Sequence, residues 1–200
     1  SASRTDTGDL TTVAPVQMPP PMEEVAPEPE VAEAPVVPQP EKFSEWMKRA
    51  HVRFESKDLD GALADYSMAV EMRPGAQRAQ IQVARTLLSM NRGSEAREYA
   101  EAALEIDRTS SLAWNTLGRV ELSEGDNEAA IASFERATEE DADNSYAWNN
   151  LGFVLIEEGL YDEAVDALEE ATTGGTPKSY MWNNLGMAYE HQDEIELARA

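Results

Sequence analysis

The feature that most constrains this chain is a 34-residue spacing between its tryptophans. Trp114, Trp148 and Trp182 follow one another at this interval, and Trp46 lies two intervals before Trp114. These four are all the tryptophans in the chain. A strict period of this length indicates stacked structural units, each burying its apolar face against its neighbours. The sequence therefore predicts an elongated strip of core.

Each unit has the pattern of two helices. In the clearest unit, Trp148 and Leu151 recur at helical spacing, so their side chains share one face of a first helix. Gly159 is placed to end that helix, because glycine readily adopts the left-handed conformation. Asp162 is placed to start the second helix. Gly152 has no side chain and permits close approach of the two helices, at a cost of about 1 kcal/mol in helix propensity.

The last three tryptophans are each followed by Leu-Gly at fixed offsets, and alanines recur around a large residue in the second helices. This pattern resembles the tetratricopeptide repeat. Two units are weaker matches: Arg49 and Ala50 stand where the first should have Leu-Gly, and Gln80 replaces the second tryptophan. The resemblance implies an all-α, right-handed superhelical solenoid of antiparallel helix pairs over residues 41–200. Its repeats are expected at 43–76, 77–110, 111–144, 145–178 and, incomplete, 179–200.

The fifth unit is expected to contain a helix from Ser179 to His191 and two turns of its partner from Glu194 to Ala200. A solenoid usually ends on a capping helix. The stop at Ala200 therefore leads us to expect that the natural protein continues, and one alternative is a regulatory repeat region of a larger protein.

Residues 1–40 differ from the repeats. They hold nine of the eleven prolines, and their acidic residues outnumber basic ones seven to one. Proline excludes helix and central strand, so we predict a disordered, partly polyproline-II tether. As an alternative, this acidic Pro-rich tail is itself a groove ligand, so that one copy binds the next in an oligomer or filament.

Charge and composition exclude several functions. The net charge of −23 disfavours nucleic acid and anionic lipid as partners. There is no cysteine, and no apolar run is long enough for a membrane span. The two histidines, His51 and His191, are too far apart in a solenoid to share a metal, and no catalytic motif is present. We expect no enzyme activity, no cofactor and no metal site.

In the tetratricopeptide family, the first helices line a concave peptide-binding groove. Asn115, Asn149 and Asn183 recur every 34 residues, so the resemblance implies a row of amides that pair with a peptide backbone. The alternative is that these amides pair with adjacent helices inside the solenoid. The arginines of this face suit a carboxylate or an acidic segment. The expected binding residues are Arg78, Arg85, Asn115, Arg119, Tyr146, Asn149, Asn150, Phe153, Tyr180, Asn183, Asn184 and Met187.

Together these features predict a non-enzymatic scaffold that binds an extended peptide or a partner protein. An acidic Pro-rich tether followed by such repeats resembles exported bacterial envelope and assembly proteins, including lipoproteins. A periplasmic or outer-membrane-associated location is therefore expected, and a lipid anchor upstream of Ser1 would be compatible with it. A cytoplasmic location is the alternative.

Overall fold

The computed structural model describes residues 42–173 and 176–199. The predicted tether at 1–40 lies outside the described residues. The described part of the chain contains helices and no strands, so the all-α prediction is confirmed. The helices are α1 (Phe43–Glu55), α2 (Leu59–Met72), α3 (Gln77–Ser89), α4 (Gly93–Ile106), α5 (Ser111–Glu124), α6 (Asn127–Glu140), α7 (Ser145–Glu157), α8 (Tyr161–Thr173) and α9 (Ser179–Arg199).

The helices stack in chain order as a solenoid. Each first helix (α1, α3, α5, α7) packs against the second helix that follows it, and each second helix packs against the next first helix. The first helices also contact one another, α3 with α5, α5 with α7 and α7 with α9. No two second helices make contacts of that extent within the described ranges. Because the first helices lie closer together, they form the concave side of the stack.

Glycines allow the two helices of a repeat to pack closely. A Cβ atom added to Gly118 would lie 2.7 Å from the ring of Phe134, and one added to Gly152 would lie 2.4 Å from Cγ of Leu168. Both distances are shorter than real Cβ contacts, so only glycine admits the apolar side chain of the second helix. Phe134 and Leu168 are fully buried as a result.

The turn inside each of the first four repeats uses one residue with positive φ. Glycine adopts this conformation at no steric cost, whereas lysine and asparagine adopt it less readily. The residues recur at the repeat interval: Lys57 (φ 67°), Asn91 (φ 57°), Gly125 (φ 82°) and Gly159 (φ 75°).

In the fifth repeat the helix does not break. Asp193 holds the position of that turn, but α9 runs through it as one helix, so the prediction of two helices here is wrong. Residues 187–199, which surround Asp193, contain no glycine or proline that would end the helix. Side chains also hold it against α8, because the ring of His191 stacks on Tyr161 at 5.0 Å and Gln192 Nε2 donates to Asp162 Oδ1 at 2.7 Å.

An ion pair replaces the usual apolar contact in the first repeat. Arg49 occupies the leucine position and donates to both carboxylate oxygens of the buried Asp65, at 2.7 and 2.6 Å. Arg53 Nη1 lies 3.0 Å from the same carboxylate. The guanidinium of Arg49 also lies 4.6 Å from the ring centre of Trp46, a cation–π distance. The departure from the repeat pattern at Arg49 therefore has a structural cause.

Candidate functional site

A cavity of about 550 Å³ opens on the concave side, at the centre of the solenoid. Every residue that lines it comes from a first helix, α3, α5, α7 or α9. The repeat places equivalent positions in rows: Leu112, Tyr146 and Tyr180 are spaced by 34 residues, as are Arg85 and Arg119. Asn115 and Asn150 complete the lining. A volume of this size is in the range of binding cavities for a few side chains.

Two positive charges in this cavity have no acidic partner within residues 42–173 and 176–199. Burial lowers the pKa of Arg119, and the nearby positive charge of Arg85 lowers it further. Among the described residues, no carboxylate forms an ion pair with either arginine. By contrast, Arg97 and Arg136 on the second helices each pair with two or more glutamates. The cavity is therefore electropositive in a chain whose net charge is −23.

Two tyrosines lie beside these arginines. Burial raises the pKa of Tyr180, the neighbouring Tyr146 raises it further, and the positive charge of Arg119 opposes the shift. The Tyr180 phenol therefore stays protonated at neutral pH and is available as a hydrogen-bond donor. Both rings are substantially exposed. Exposed tyrosines beside a cation supply apolar area and polar contacts to a ligand at a small entropic cost.

The asparagines link neighbouring first helices. Asn150 Nδ2 donates to Asn115 Oδ1 at 2.8 Å, and Asn184 Nδ2 donates to Asn149 Oδ1 at 3.0 Å. Asn115 and Asn149 are buried. Their carbonyl oxygens therefore accept hydrogen bonds inside the solenoid. This is the alternative given in the sequence analysis, in which the amides pair with adjacent helices. Asn183 is exposed, and its Nδ2 lies 3.7 Å from Met187 Sδ on the same helix. Contact between these amides and a peptide stays a prediction.

The remaining predicted residues are distributed differently. Arg78 lines a separate cavity of about 330 Å³ near the N-terminal end of the solenoid. Tyr66 from the second helix α2 lines it as well, which the sequence pattern did not indicate. Phe153 and Met187 lie on first helices with exposed fractions of 37% and 38%. Neither residue lines either of the two cavities. Leu112 is the additional member of the central cavity, and its 34-residue spacing from Tyr146 is the signal that identifies it.

The described part of the chain shows neither a metal-binding cluster nor a membrane-spanning helix. Within the described ranges, no group of three or more His, Cys, Asp or Glu residues is arranged to hold a metal ion. A helix of sufficient length and apolarity to cross a membrane is likewise missing from that part of the chain.

Replacing Arg119 by methionine should stabilise the fold. The native guanidinium is desolvated beside a like charge, whereas methionine fills similar space without that cost. We expect the free energy of unfolding to rise by about 0.5–2 kcal/mol, measured by urea denaturation. Arg136→Met, on an exposed ion-paired arginine, is the control and should change stability little. A clear loss of stability in Arg119→Met would show that the arginine is structural.

Comparison with known proteins identifies similar sequences and folds. Family models described as "Tetratricopeptide repeat" match residues 53–120, 115–180 and 154–200. No curated protein sequence matches the chain. Its fold is similar to that of MamA, with 22% identity over 76% of this chain and 82% of that one and a TM-score of 0.61. A thermophilic tetratricopeptide protein of Thermus thermophilus is 16% identical over 78% and 85% of the two chains, with a TM-score of 0.69.

A third solved structure is YrrB, described as a tetratricopeptide protein with an unusual peptide-binding site. It is 22% identical over 76% of this chain and 78% of that one, with a TM-score of 0.56. At these identities the structural similarity establishes the fold.

Proposed function

The chain belongs to the tetratricopeptide repeat family, and from this premise we propose that it is a non-catalytic scaffold that binds an extended segment of a partner protein on its concave side. The central cavity supports this proposal most directly. It is lined by first helices alone, and it combines exposed aromatic rings, amides and arginines that have no acidic partner in the described part of the chain. Its tyrosine hydroxyls and its arginine guanidinium groups are available to a ligand.

An extended peptide suits this surface better than a compact ligand. The lining residues repeat from helix to helix, so equivalent side chains recur along the direction of stacking. A peptide laid across α3, α5, α7 and α9 would meet the same kinds of group at each step. Tyr146 and Tyr180 provide the large rigid rings that commonly dominate binding energy. YrrB, which has a similar fold, is described as having a peptide-binding site.

The proposal is tested by selecting peptides from a random library of 12-residue sequences displayed on phage, with the full chain as bait. Selected peptides are resynthesised, and their affinity is measured by fluorescence anisotropy. We expect Tyr146→Ala and Tyr180→Ala each to weaken binding by about tenfold or more, because each removes a central aromatic contact.

The matched control is Leu160→Ala. Leu160 is an exposed apolar residue in the same repeat as Tyr146, and it lies outside the cavity. Its affinity for the peptides should equal that of the unmodified protein. Peptides that bind all three variants equally well, or a library that yields no binder, would contradict the proposal.

We also propose that the protein acts in a bacterial envelope, on the periplasmic side or at the outer membrane. Support comes from residues 1–40, where nine prolines and a sevenfold excess of acidic residues precede the repeats. This arrangement resembles that of exported repeat proteins. Fractionation of cells that express the tagged natural gene tests this location. Recovery with an envelope marker is the expected result, and recovery with a cytoplasmic enzyme contradicts it.

A further inference from the structure

We propose that Glu121 makes the boundary between the second and third repeats sensitive to pH, and that this boundary tightens when the carboxyl group takes up a proton. Glu121 lies on α5, and its side chain faces α4 of the preceding repeat and α6 of its own repeat. Such a device acts on the solenoid itself, whichever ligand the concave side binds.

The first observation is that an acid occupies a position that the neighbouring repeats give to leucine. Leu87 and Leu155 lie 34 residues before and after Glu121, and both are buried in the core. Glu121 is buried to the same extent, with an exposed fraction of 7%. Leucine fills such a position without the cost of taking a charge out of water. The packing of the repeats therefore does not require an acid here.

The second observation is that the carboxylate is poorly compensated. Within residues 42–173 and 176–199, its Oε2 atom is buried and has no hydrogen-bond partner. Its Oε1 atom lies 3.9 Å from Nη1 of Arg97, which is longer than a hydrogen bond. The same guanidinium donates to Glu124 and to Glu101. One cation is thus shared among three carboxylates, and Glu121 has the weakest contact with it.

The groups around Glu121 favour its neutral form. Burial raises the pKa of Glu121, and the negative charges of Asp126 and Glu124 raise it further. The hydroxyl of Ser133 on α6 and the positive charge of Arg97 on α4 oppose this shift without cancelling it. Glu121 therefore takes up a proton at milder acidity than an exposed glutamate, and the proton removes the buried charge.

The direction of the pH effect follows from the raised pKa of Glu121. A carboxyl group that binds a proton more readily in the folded chain than in the unfolded chain stabilises the fold as the pH falls. This stabilisation is complete below the ordinary glutamate pKa of about 4.3, and it is lost as the pH rises through the higher pKa of the folded chain. Above that higher pKa, the ionised side chain weakens the packing among α4, α5 and α6.

The first test is urea denaturation of the full chain between about pH 5 and about pH 8. Glu121→Gln replaces the carboxylate by a neutral group of the same shape. We expect the folding equilibrium constant of this variant to exceed that of the unmodified protein by about tenfold near pH 8, and the advantage should shrink as the pH falls. Glu121→Leu, which copies the neighbouring repeats, should likewise be more stable near pH 8.

The matched control is Glu98→Gln, the same chemical change at an exposed position of α4. It corrects for the general effect of removing one negative charge from a chain with a net charge of −23. Its folding equilibrium constant should stay within about twofold of the unmodified value at every pH. Equal behaviour of the two Gln variants, or a loss of stability in Glu121→Gln near pH 8, would overturn the proposal.

Two local measurements test the group and the boundary separately. The ¹³C signal of the Glu121 carboxyl group, assigned by its absence in Glu121→Gln, should titrate with a midpoint above the ordinary value of about 4.3. A midpoint at or below that value contradicts the proposal. Near pH 8, hydrogen exchange of backbone amides should be slower in Glu121→Gln than in the unmodified protein across α4, α5 and α6. A difference spread evenly over α1 to α8 would overturn the assignment to this boundary.

Discussion

Phe134→Ala is expected to lower the free energy of unfolding by about 3–5 kcal/mol. Phe134 is fully buried and fills the space that Gly118 leaves on the facing helix. Because Gly118 has no side chain that could move into the void, the cavity should persist. Urea denaturation followed by far-UV circular dichroism measures the loss.

The control for Phe134→Ala is Phe153→Ala, the same chemical change at a side chain that is 37% exposed. Its cost should stay below about 1 kcal/mol, since little packing is lost. Equal destabilisation by the two substitutions would contradict the assignment of Phe134 to the interface between the helices of its repeat. Because repeats unfold with partial independence, the transition of Phe134→Ala should also broaden.

The second large effect is expected for Trp148→Ala, which should cost about 3–5 kcal/mol. The indole packs against a buried cluster that includes Phe134 and Leu155, and Nε1 donates to the carbonyl oxygen of Ala142 at 2.9 Å. The substitution removes both the packing and this hydrogen bond. Trp148→Phe keeps most of the apolar contact and should therefore cost clearly less, and the same denaturation measurement compares the two.

Trp182→Ala is the matched control, because Trp182 occupies the same position one repeat later and its side chain is 55% exposed. We expect it to change the free energy of unfolding by less than about 1 kcal/mol. A comparable loss of stability at both tryptophans would contradict this account. It would mean that the position in the repeat, and not the burial of the side chain, determines how much the tryptophan stabilises the fold.

Much of this fold follows from the sequence, because the repeat encodes it several times over. The period of the tryptophans predicts the solenoid, and each of the ranges 43–76, 77–110, 111–144 and 145–178 contains two of the helices α1 to α8. Helix ends are predictable where glycine permits positive φ, as at Gly125 and Gly159. The continuous helix α9 was not predicted. The repeat pattern predicts a turn at Asp193, but the residues around Asp193 are compatible with a helix.

The candidate site is predicted less completely, because its properties depend on contacts between repeats. Periodicity places Asn115 and Asn149 on the first helices, but it does not reveal that each accepts a hydrogen bond from the asparagine 35 residues later. Likewise, the sequence groups three arginines on one face. The structure divides them, with Arg78 in a separate cavity and Arg85 beside Arg119. Side-chain direction and burial decide these points, and a repeat pattern specifies neither.

The central claim is that the concave side of the solenoid is the binding surface. The most direct measurement is NMR mapping of the full chain with its tightest selected peptide, following backbone amides and side-chain signals together. The account predicts that the largest changes fall on α3, α5, α7 and α9, around Arg119 and Tyr146. Changes concentrated on the second helices α4, α6 and α8 would contradict it.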